Sequence, residues 1–302
     1  VIAMDVARRP GVARRCAQVI TWSSLGVVLE AAWQELFGRG LFRGAHAPLL
    51  HARMIGPYEI PSDLATYFMV VIPLLLVQAM TSTGWRRRPL WILLGAGVLC
   101  LARTETVGAW LGLGVGLGFV SLRHPRLRRP GLIMLAAVAL VASAYLARVG
   151  RLAGTFSTTD IGRVDRWVMW QAAWGMIRER PILGHGLNTF MANYLHYWVG
   201  GERQPRYAHN CYLQVWAETG VVGLLSFVAL LGLLFARLLA GLPRIRFDGE
   251  PALLLGLMAG LIAFAVHAAL DTNFYALRQA ALFWTLSGVA LGLHERTVPH
   301  GD

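Results

Sequence analysis

Charge is scarce in this chain. Only 15% of its 302 residues are Asp, Glu, Lys or Arg, against about 25% in ordinary soluble domains. Too little polar surface is left to cover a water-exposed fold, which excludes a conventional soluble globular protein. Acidic residues are scarcer still, 16 against 28 basic ones, for a formal charge of +12. The excess is almost entirely arginine and falls in clusters between apolar runs, where membrane topology expects it, so nucleic-acid binding is not supported. The three cysteines, Cys16, Cys100 and Cys211, form no CxxC pair and are odd in number, excluding a disulfide framework or a cysteine-based zinc site. A cleavable signal peptide is not expected, because the basic start runs into a long apolar segment without a small-residue cleavage site. The chain opens on Val1 rather than Met, and reads as a fragment or as one starting at an unusual codon.

What is abundant is apolar sequence: 56% of residues are hydrophobic and the mean hydropathy is +0.52. Runs near the roughly 20 residues that cross a bilayer predict eight spans, at about 16–37, 63–84, 89–103, 106–122, 131–149, 213–236, 252–271 and 276–293. The first is unsettled by Glu30 and Glu35, and the third is short. Arginines 8, 9, 14 and 15 precede the first span, 86–88 follow the second, 123, 126, 128 and 129 follow the fourth, and 237, 244 and 246 follow the sixth. Every second connection is basic, which predicts both termini in the cytoplasm. The expected fold class is an all-α polytopic membrane protein. Five amino-terminal spans occupy 1–149, a long extracytoplasmic (periplasmic) loop with amphipathic helices 150–208, and three further spans 209–302. Glycines 112, 114, 116 and 118 give two overlapping GxxxG spacings, a helix-packing pattern; a phosphate-cradling loop is not indicated, since no strand precedes them.

The loop of nearly sixty residues is where function is expected. Residues 163–180 place Trp167, Trp170, Trp174 and Ile177 at helical spacing, with Arg163, Arg166, Arg178 and Arg180 on the other sides; such a helix suits the membrane interface. Pro181 ends it, and Gly184 and Gly186 lead to a second helical stretch expected at 187–199. Then comes RYAHNCYLQVWAETGVVG, residues 206–223. In a sixth span starting here, His209, Leu213, Trp216 and Gly220 share a face, and Gly220 and Gly223 would admit a neighbouring helix. In the first turn, unpaired N–H groups disfavour imidazolium and attract a phosphate, and a neutral imidazole can take a proton from a sugar hydroxyl. A histidine that only hydrogen-bonds the helix start fits the same spacing.

HNCYLQVWAETGVVG resembles the signature of the O-antigen ligase and O-antigen polymerase superfamily, a His-Asn followed after nine residues by Gly-x-x-Gly. GRVDRWVMWQAAWGMIRERPILGHGLNTF resembles the segment preceding it, RMIGPYEIPSDLATYFMVVIPLLL a third, with Ser62 where Asn is commoner, and LARTETVGAWLGL a fourth. Their order and spacing fit over about residues 53–235. The family arginine of the fourth segment falls at Val107 here; Arg103, one turn earlier, is the candidate to replace it, or snorkels to the outer interface. The family commonly has more than eight spans, so amino-terminal helices are expected to be missing.

The resemblance implies metal-independent glycosyl transfer from an undecaprenyl-pyrophosphate-linked glycan to a hydroxyl of lipid A-core, another glycan or a protein, without a cofactor, in a bacterial inner membrane. His209 is then the catalytic base, or orients the acceptor. Arg163, Arg206 and Arg103 are the candidates for the pyrophosphate, which metal-free sites hold with guanidinium forks. Asn210 would fix the helix start, Glu218 would be a buried partner of an arginine, and Gly220 and Gly223 belong to the motif. Ligase and polymerase share these motifs, and a protein O-oligosaccharyltransferase is a third form. A transporter or flippase would be expected to show internal repeats and broken helices in matching halves; none is found. An inactive or scaffold member would fit the Val107 departure. His46, His51, His185 and His196 lack metal-ligand spacing, whereas His267 and Asp271, one turn apart, read as an intramembrane pair of unassigned function.

Overall fold

A computed structural model describes residues 2–41, 53–152, 161–200, 207–240, 245 and 247–297, with side chains left out at 141–142, 145–152 and 161–165. The described residues form helices and connecting turns: α1 (Ile2–Ala7), α2 (Val12–Phe37), α3 (Pro61–Thr81), α4 (Arg87–Arg103), α5 (Val107–Arg123), α6 (Pro125–Leu152), α7 (Ile161–Glu179), α8 (Phe190–Tyr194), α9 (Cys211–Ala240), α10 (Leu253–His267) and α11 (Leu277–Thr297). The all-α expectation is met. By length and apolarity α3 and α9 suffice to cross a bilayer, and α5 and α10 are shorter apolar helices.

The chain divides into two compact units. One comprises residues 1–145, 237–266 and 278–302; the other comprises 146–236 and 267–277.

The first unit is built around α3. Pro61 opens this helix, where a missing N–H costs nothing, and Phe68, Met69, Ile72, Leu74 and Leu75 are buried. A helix apolar on all sides is buried on all sides. Lipid supplies no hydrophobic force between helices, so close approach depends on small residues. A Cβ at Gly112 or Gly116 of α5 would stand 2.6 or 2.3 Å from the Ala263 or Ala259 carbonyl of α10, and one at Gly260 of α10 would stand 2.3 Å from the Val70 carbonyl of α3. Gly112 and Gly116 are therefore the working pair. Gly118 faces open space and Gly114 meets only Leu135 at 3.9 Å. Gly288 and Gly292 of α11 are covered in the same way by Ala3, Met4 and Ala7 of α1.

Two sets of polar contacts mark the opposite ends of this unit. At one, Glu295 pairs with Arg8 (2.6 Å) and Arg237 (3.1 Å), Glu250 pairs with Arg296 (2.6 Å) and accepts the Arg14 N–H (3.1 Å), and Arg126 donates to the Phe247 carbonyl (3.4 Å). At the other, buried Glu30 accepts the Leu41 N–H (3.1 Å), Arg53 donates to the Thr104 carbonyl (2.7 Å), and Asp63 accepts from Gln279. The two glutamates that unsettle the first span are thus engaged at the helix end, Glu35 with Arg103. Outward faces remain apolar: Val19, Trp22 and Leu29 of α2, and Ile92 and Leu99 of α4, are exposed, as suits lipid contact.

The second unit holds α7, α8 and most of α9. Its core is Met169, Ala172, Ala173, Met176 and Ile177 of α7 with Phe190, Tyr194, Ala208 and Ala217. Of the expected aromatic face, Ile177 turns into this core. The spacing 169, 172, 173, 176 turns small residues and methionines inward, while Trp167 and Trp174 stay exposed. The stretch 187–199 is helical only at Phe190–Tyr194, because Gly186 and Asn188 take positive φ (113° and 58°) and the peptide N–H groups of Asn188 and Phe190 are drawn to Glu218.

Candidate functional site

The sequence places a histidine at the mouth of α9; the fold decides what it meets. Asn210 caps α9, its Oδ1 accepting the Leu213 N–H (3.0 Å), an asparagine's usual role at a helix start. His209 therefore precedes the helix instead of occupying its first turn, with φ of 47°, and does not share a helical face with Leu213 and Gly220. Much of this helix end is already engaged. The Cys211 N–H bonds the Ala268 carbonyl (2.8 Å), the Leu213 N–H is capped, and the Gln214 N–H bonds the Asn210 carbonyl (3.0 Å). A left-handed, non-glycine residue is held only where its surroundings over-determine it. Here Gln214 accepts the Ala208 N–H (3.2 Å) on one side and the Asn210 cap closes the other.

This backbone aims the ring at the turn after α10. His209 Nδ1 lies 3.3 Å from Asp271 Oδ1, and His267 Nε2 lies 3.6 Å from Asp271 Oδ2. The expected His267–Asp271 pair is therefore one side of a three-residue cluster. Helix α10 ends at His267, four residues short of the expected span, leaving Asp271 in the connecting turn. Burial alone would raise the Asp271 carboxyl. The His209 hydrogen bond, the His267 and His209 rings and the Thr272 N–H (2.8 Å) outweigh it and hold the group below the usual carboxylate range. An ionised carboxylate only accepts, so His209 donates from Nδ1 and the lone pair of the neutral ring sits on Nε2. The His209 side chain is 36% exposed, against 1% for His267, so of the two rings that of His209 is the accessible one. Cys211 Sγ donates to the Asp271 carbonyl (3.2 Å) and steadies the same turn.

Glu218 is fully buried. Its carboxylate accepts from the N–H groups of Asn188 (2.9 Å) and Phe190 (3.0 Å), from Gln214 (3.3 Å) and from the Tyr275 hydroxyl (2.8 Å). These are its partners among the described residues, in place of the expected arginine. Burial first, and then the Glu218 charge, push the Tyr275 phenol up. Gly220 breaks α9, with φ 69° and ψ −175°. The Val221 N–H, which a continuous helix would give to Ala217, bonds the Pro181 carbonyl (2.8 Å); the freed Ala217 and Glu218 carbonyls accept the N–H groups of His185 (3.1 Å) and Gly186 (2.8 Å). The Pro-x-x-Gly-x-Gly segment thus docks into the break. A Cβ at Gly220 would stand 1.9 Å from the Ile182 oxygen. The expectation of a neighbouring helix crossing Gly220 and Gly223 is replaced at Gly220 by this loop, and the nearest atoms to a Cβ at Gly223 belong to its own helix's Thr219 side chain.

His209, Asn210, Glu218 and Gly220 are brought together in the second unit; Asp271, His267, Gln214 and Tyr275 join them. Asp271 lies 62 residues from His209, and nothing local in the sequence links the two. Arg103 belongs to the first unit, where its guanidinium pairs with Glu35. Arg163 lies in the first turn of α7, with its side chain outside the described residues, as Arg206 lies outside them entirely. Arg244, Arg246 and the early histidines His46 and His51 also fall outside.

A family model described as O-antigen ligase matches residues 90–228. That stretch contains Arg103, Arg163, Arg206, His209 and Glu218 and ends before Asp271. A Rickettsia felis protein named as a polysaccharide ligase is 27% identical over 170 residues, 50% of this chain and 40% of the relative. A Rickettsia conorii protein of the same designation is 26% identical over 170 residues, 50% of this chain and 39% of the relative. The match thus spans about two fifths of those curated relatives. The similarity to O-antigen ligases, a family of membrane proteins, thus lies in residues 90–228 and supports the resemblance read from the motifs.

Proposed function

We propose that this protein is a membrane glycosyltransferase of the ligase type, moving a glycan from undecaprenyl pyrophosphate to an acceptor hydroxyl on lipid A-core or a similar molecule. One observation carries the reading: an accessible histidine whose Nδ1 is held by a buried carboxylate, at the family's His-Asn motif. The acceptor oxygen attacks the anomeric carbon while its proton passes to His209 Nε2. The bond from that carbon to the pyrophosphate oxygen breaks, and undecaprenyl pyrophosphate leaves with the electron pair. Asp271 fixes the ring and stabilises the imidazolium that forms. Arg163 and Arg206 are proposed to hold the pyrophosphate; the Arg103–Glu35 pair weighs against Arg103 as a third. No metal or cofactor is called for.

Eight spans, cytoplasmic termini and a site on the periplasmic face of the inner membrane complete the proposal. The gathering of Arg8, Arg14, Arg126, Arg237 and Arg296 at one end of the first unit supports that orientation.

The test is transfer in reconstituted membranes, with undecaprenyl-pyrophosphate glycan, lipid A-core and products resolved by mass. His209→Ala is expected to lower the rate by about 10²- to 10⁴-fold. Glycan lengthened on the carrier instead of moved to core would make the protein a polymerase. Transfer undiminished in His209→Ala would overturn the assignment of the base.

A further inference from the structure

A cavity in the first unit takes no part in the proposed transfer chemistry. It measures about 580 Å³, within the range of ligand-binding clefts, and sits in the first unit at the end where the basic segments gather. The start of α2, the end of α3, the start of α4 and the turn before α10 enclose it.

Its chemistry is divided. Arg14 and Arg86 stand in the wall with the hydroxyl side chains that follow α3, while Leu25, Leu90 and Leu93 continue it along the helices. Trp22 and Trp85 flank it and are exposed, at 71% and 79%. Indole rings favour the boundary between acyl chains and head groups. Two further observations point to an absent ligand of one sign. Gln78 lines the cavity, and its Oε1 accepts from Thr21 (3.2 Å), but its Nε2 is buried without a hydrogen-bond partner. A buried donor left unsatisfied is costly unless something supplies an acceptor. The one carboxylate in the wall, Glu250, is already taken by Arg296 (2.6 Å) and the N–H groups of Arg14 (3.1 Å) and Gly11 (3.3 Å). No ion pair to the Arg14 or Arg86 guanidinium is present among the described residues; Arg86 lies over Trp85, 5.5 Å from the ring centroid.

We infer that this cavity binds the head group of an anionic phospholipid. The phosphate lies between Arg14 and Arg86, an ester or phosphate oxygen accepts from Gln78 Nε2, and an acyl chain runs along the Leu25, Leu90 and Leu93 wall. A zwitterionic lipid brings its own cation and gains less from the two arginines, and a free phosphate leaves the apolar half uncovered. The site is independent of the proposed transfer chemistry and requires only that the chain lie in a membrane.

The full chain, purified in a zwitterionic detergent, would be titrated with phosphatidylglycerol or with phosphatidylcholine of the same acyl chains, bound lipid being counted by native mass spectrometry. A parallel melting series would use inorganic phosphate alone. Phosphatidylglycerol is expected to bind preferentially. Arg14→Gln with Arg86→Gln should weaken it about thirtyfold, from the contribution of two basic residues near a lipid phosphate. Gln78→Glu, which sets a carboxylate where the donor stood, should also weaken it. Arg87→Gln with Arg88→Gln, which removes equal charge outside the cavity wall, should not. Helical circular dichroism and a single gel-filtration peak would confirm that each variant is folded. Equal binding of both lipids, equal loss in the Arg87/Arg88 variant, or protection by millimolar phosphate alone matching that of the lipid would each overturn the assignment.

Discussion

At the scale of single residues, His209 and Glu218 sit nine residues apart and have opposite surroundings. His209 is partly exposed with one carboxylate fixing its ring; Glu218 is fully enclosed with four donors on its two oxygens. The first arrangement suits proton transfer and the second suits holding parts together. Asp271→Asn keeps the size of the side chain but removes the acceptor charge. It is expected to lower kcat by about 10- to 100-fold, short of the His209→Ala loss, with KM little changed. Steady-state transfer kinetics would read that split, and partial rescue by Asp271→Glu would mark the residue as positioning the ring. Glu218→Gln turns one of the two carboxylate oxygens into a donor facing a peptide N–H group, that of Asn188 or of Phe190, so it is expected to destabilise the protein by about 2–3 kcal/mol, seen as a lowered melting temperature in detergent. A Glu218→Gln protein that melts like the wild type while losing transfer would instead make Glu218 part of the chemistry.

Elements set where those residues stand. Helix α9 is one apolar run in the sequence, yet Gly220 divides it, and three backbone hydrogen bonds from the 181–186 loop heal the break. The loop then passes Asn188 and Phe190 to Glu218, so the same element that breaks also anchors the loop. Gly220→Ala needs both a positive φ and space that the Ile182 carbonyl fills. It is expected to cost about 1–3 kcal/mol or more, whereas Gly118→Ala in α5, which faces open space, should be neutral or slightly stabilising. Gly116→Ala would drive a methyl into the Ala259 carbonyl and should resemble Gly220→Ala in a chemical-denaturation series. A Gly118→Ala variant as damaged as Gly116→Ala would refute the assignment of the packing face.

Over the whole molecule, charge is sorted within the first unit, and Glu250 joins the chain start, the turn before α10 and the end of α11. Partial burial opposes its ionisation, but the Arg296 pair and the two N–H groups prevail and hold its carboxyl below the ordinary glutamate range. The folded state therefore binds its proton less readily than the unfolded chain. The resulting stability is present above the unfolded value, and is lost as pH falls below about 4.5 and through the depressed folded value. Melting temperature followed from pH 7 to pH 3 should fall less steeply for Glu250→Gln, which starts lower and lacks this proton uptake. Parallel curves for the two proteins would show that the cluster does not couple folding to pH.

Composition and hydrophobic runs determined by themselves that the chain is helical and apolar and roughly where its long helices lie, though not α1 or the short extent of α8, while the family resemblance picked out the motif that holds the candidate histidine. Those properties are local: a run of apolar residues needs no knowledge of its neighbours to declare itself. Tertiary structure alone decided which glycines pack, that α7 turns methionine and alanine inward, that α9 breaks at Gly220, and that Asp271 meets His209. Each of these depends on a partner remote in sequence: Ala259 for Gly116, Pro181 for Val221, a turn 62 residues on for His209. A hydrogen bond or a close backbone approach is fixed by where two segments meet in space, and the spacing within either segment carries no trace of the other.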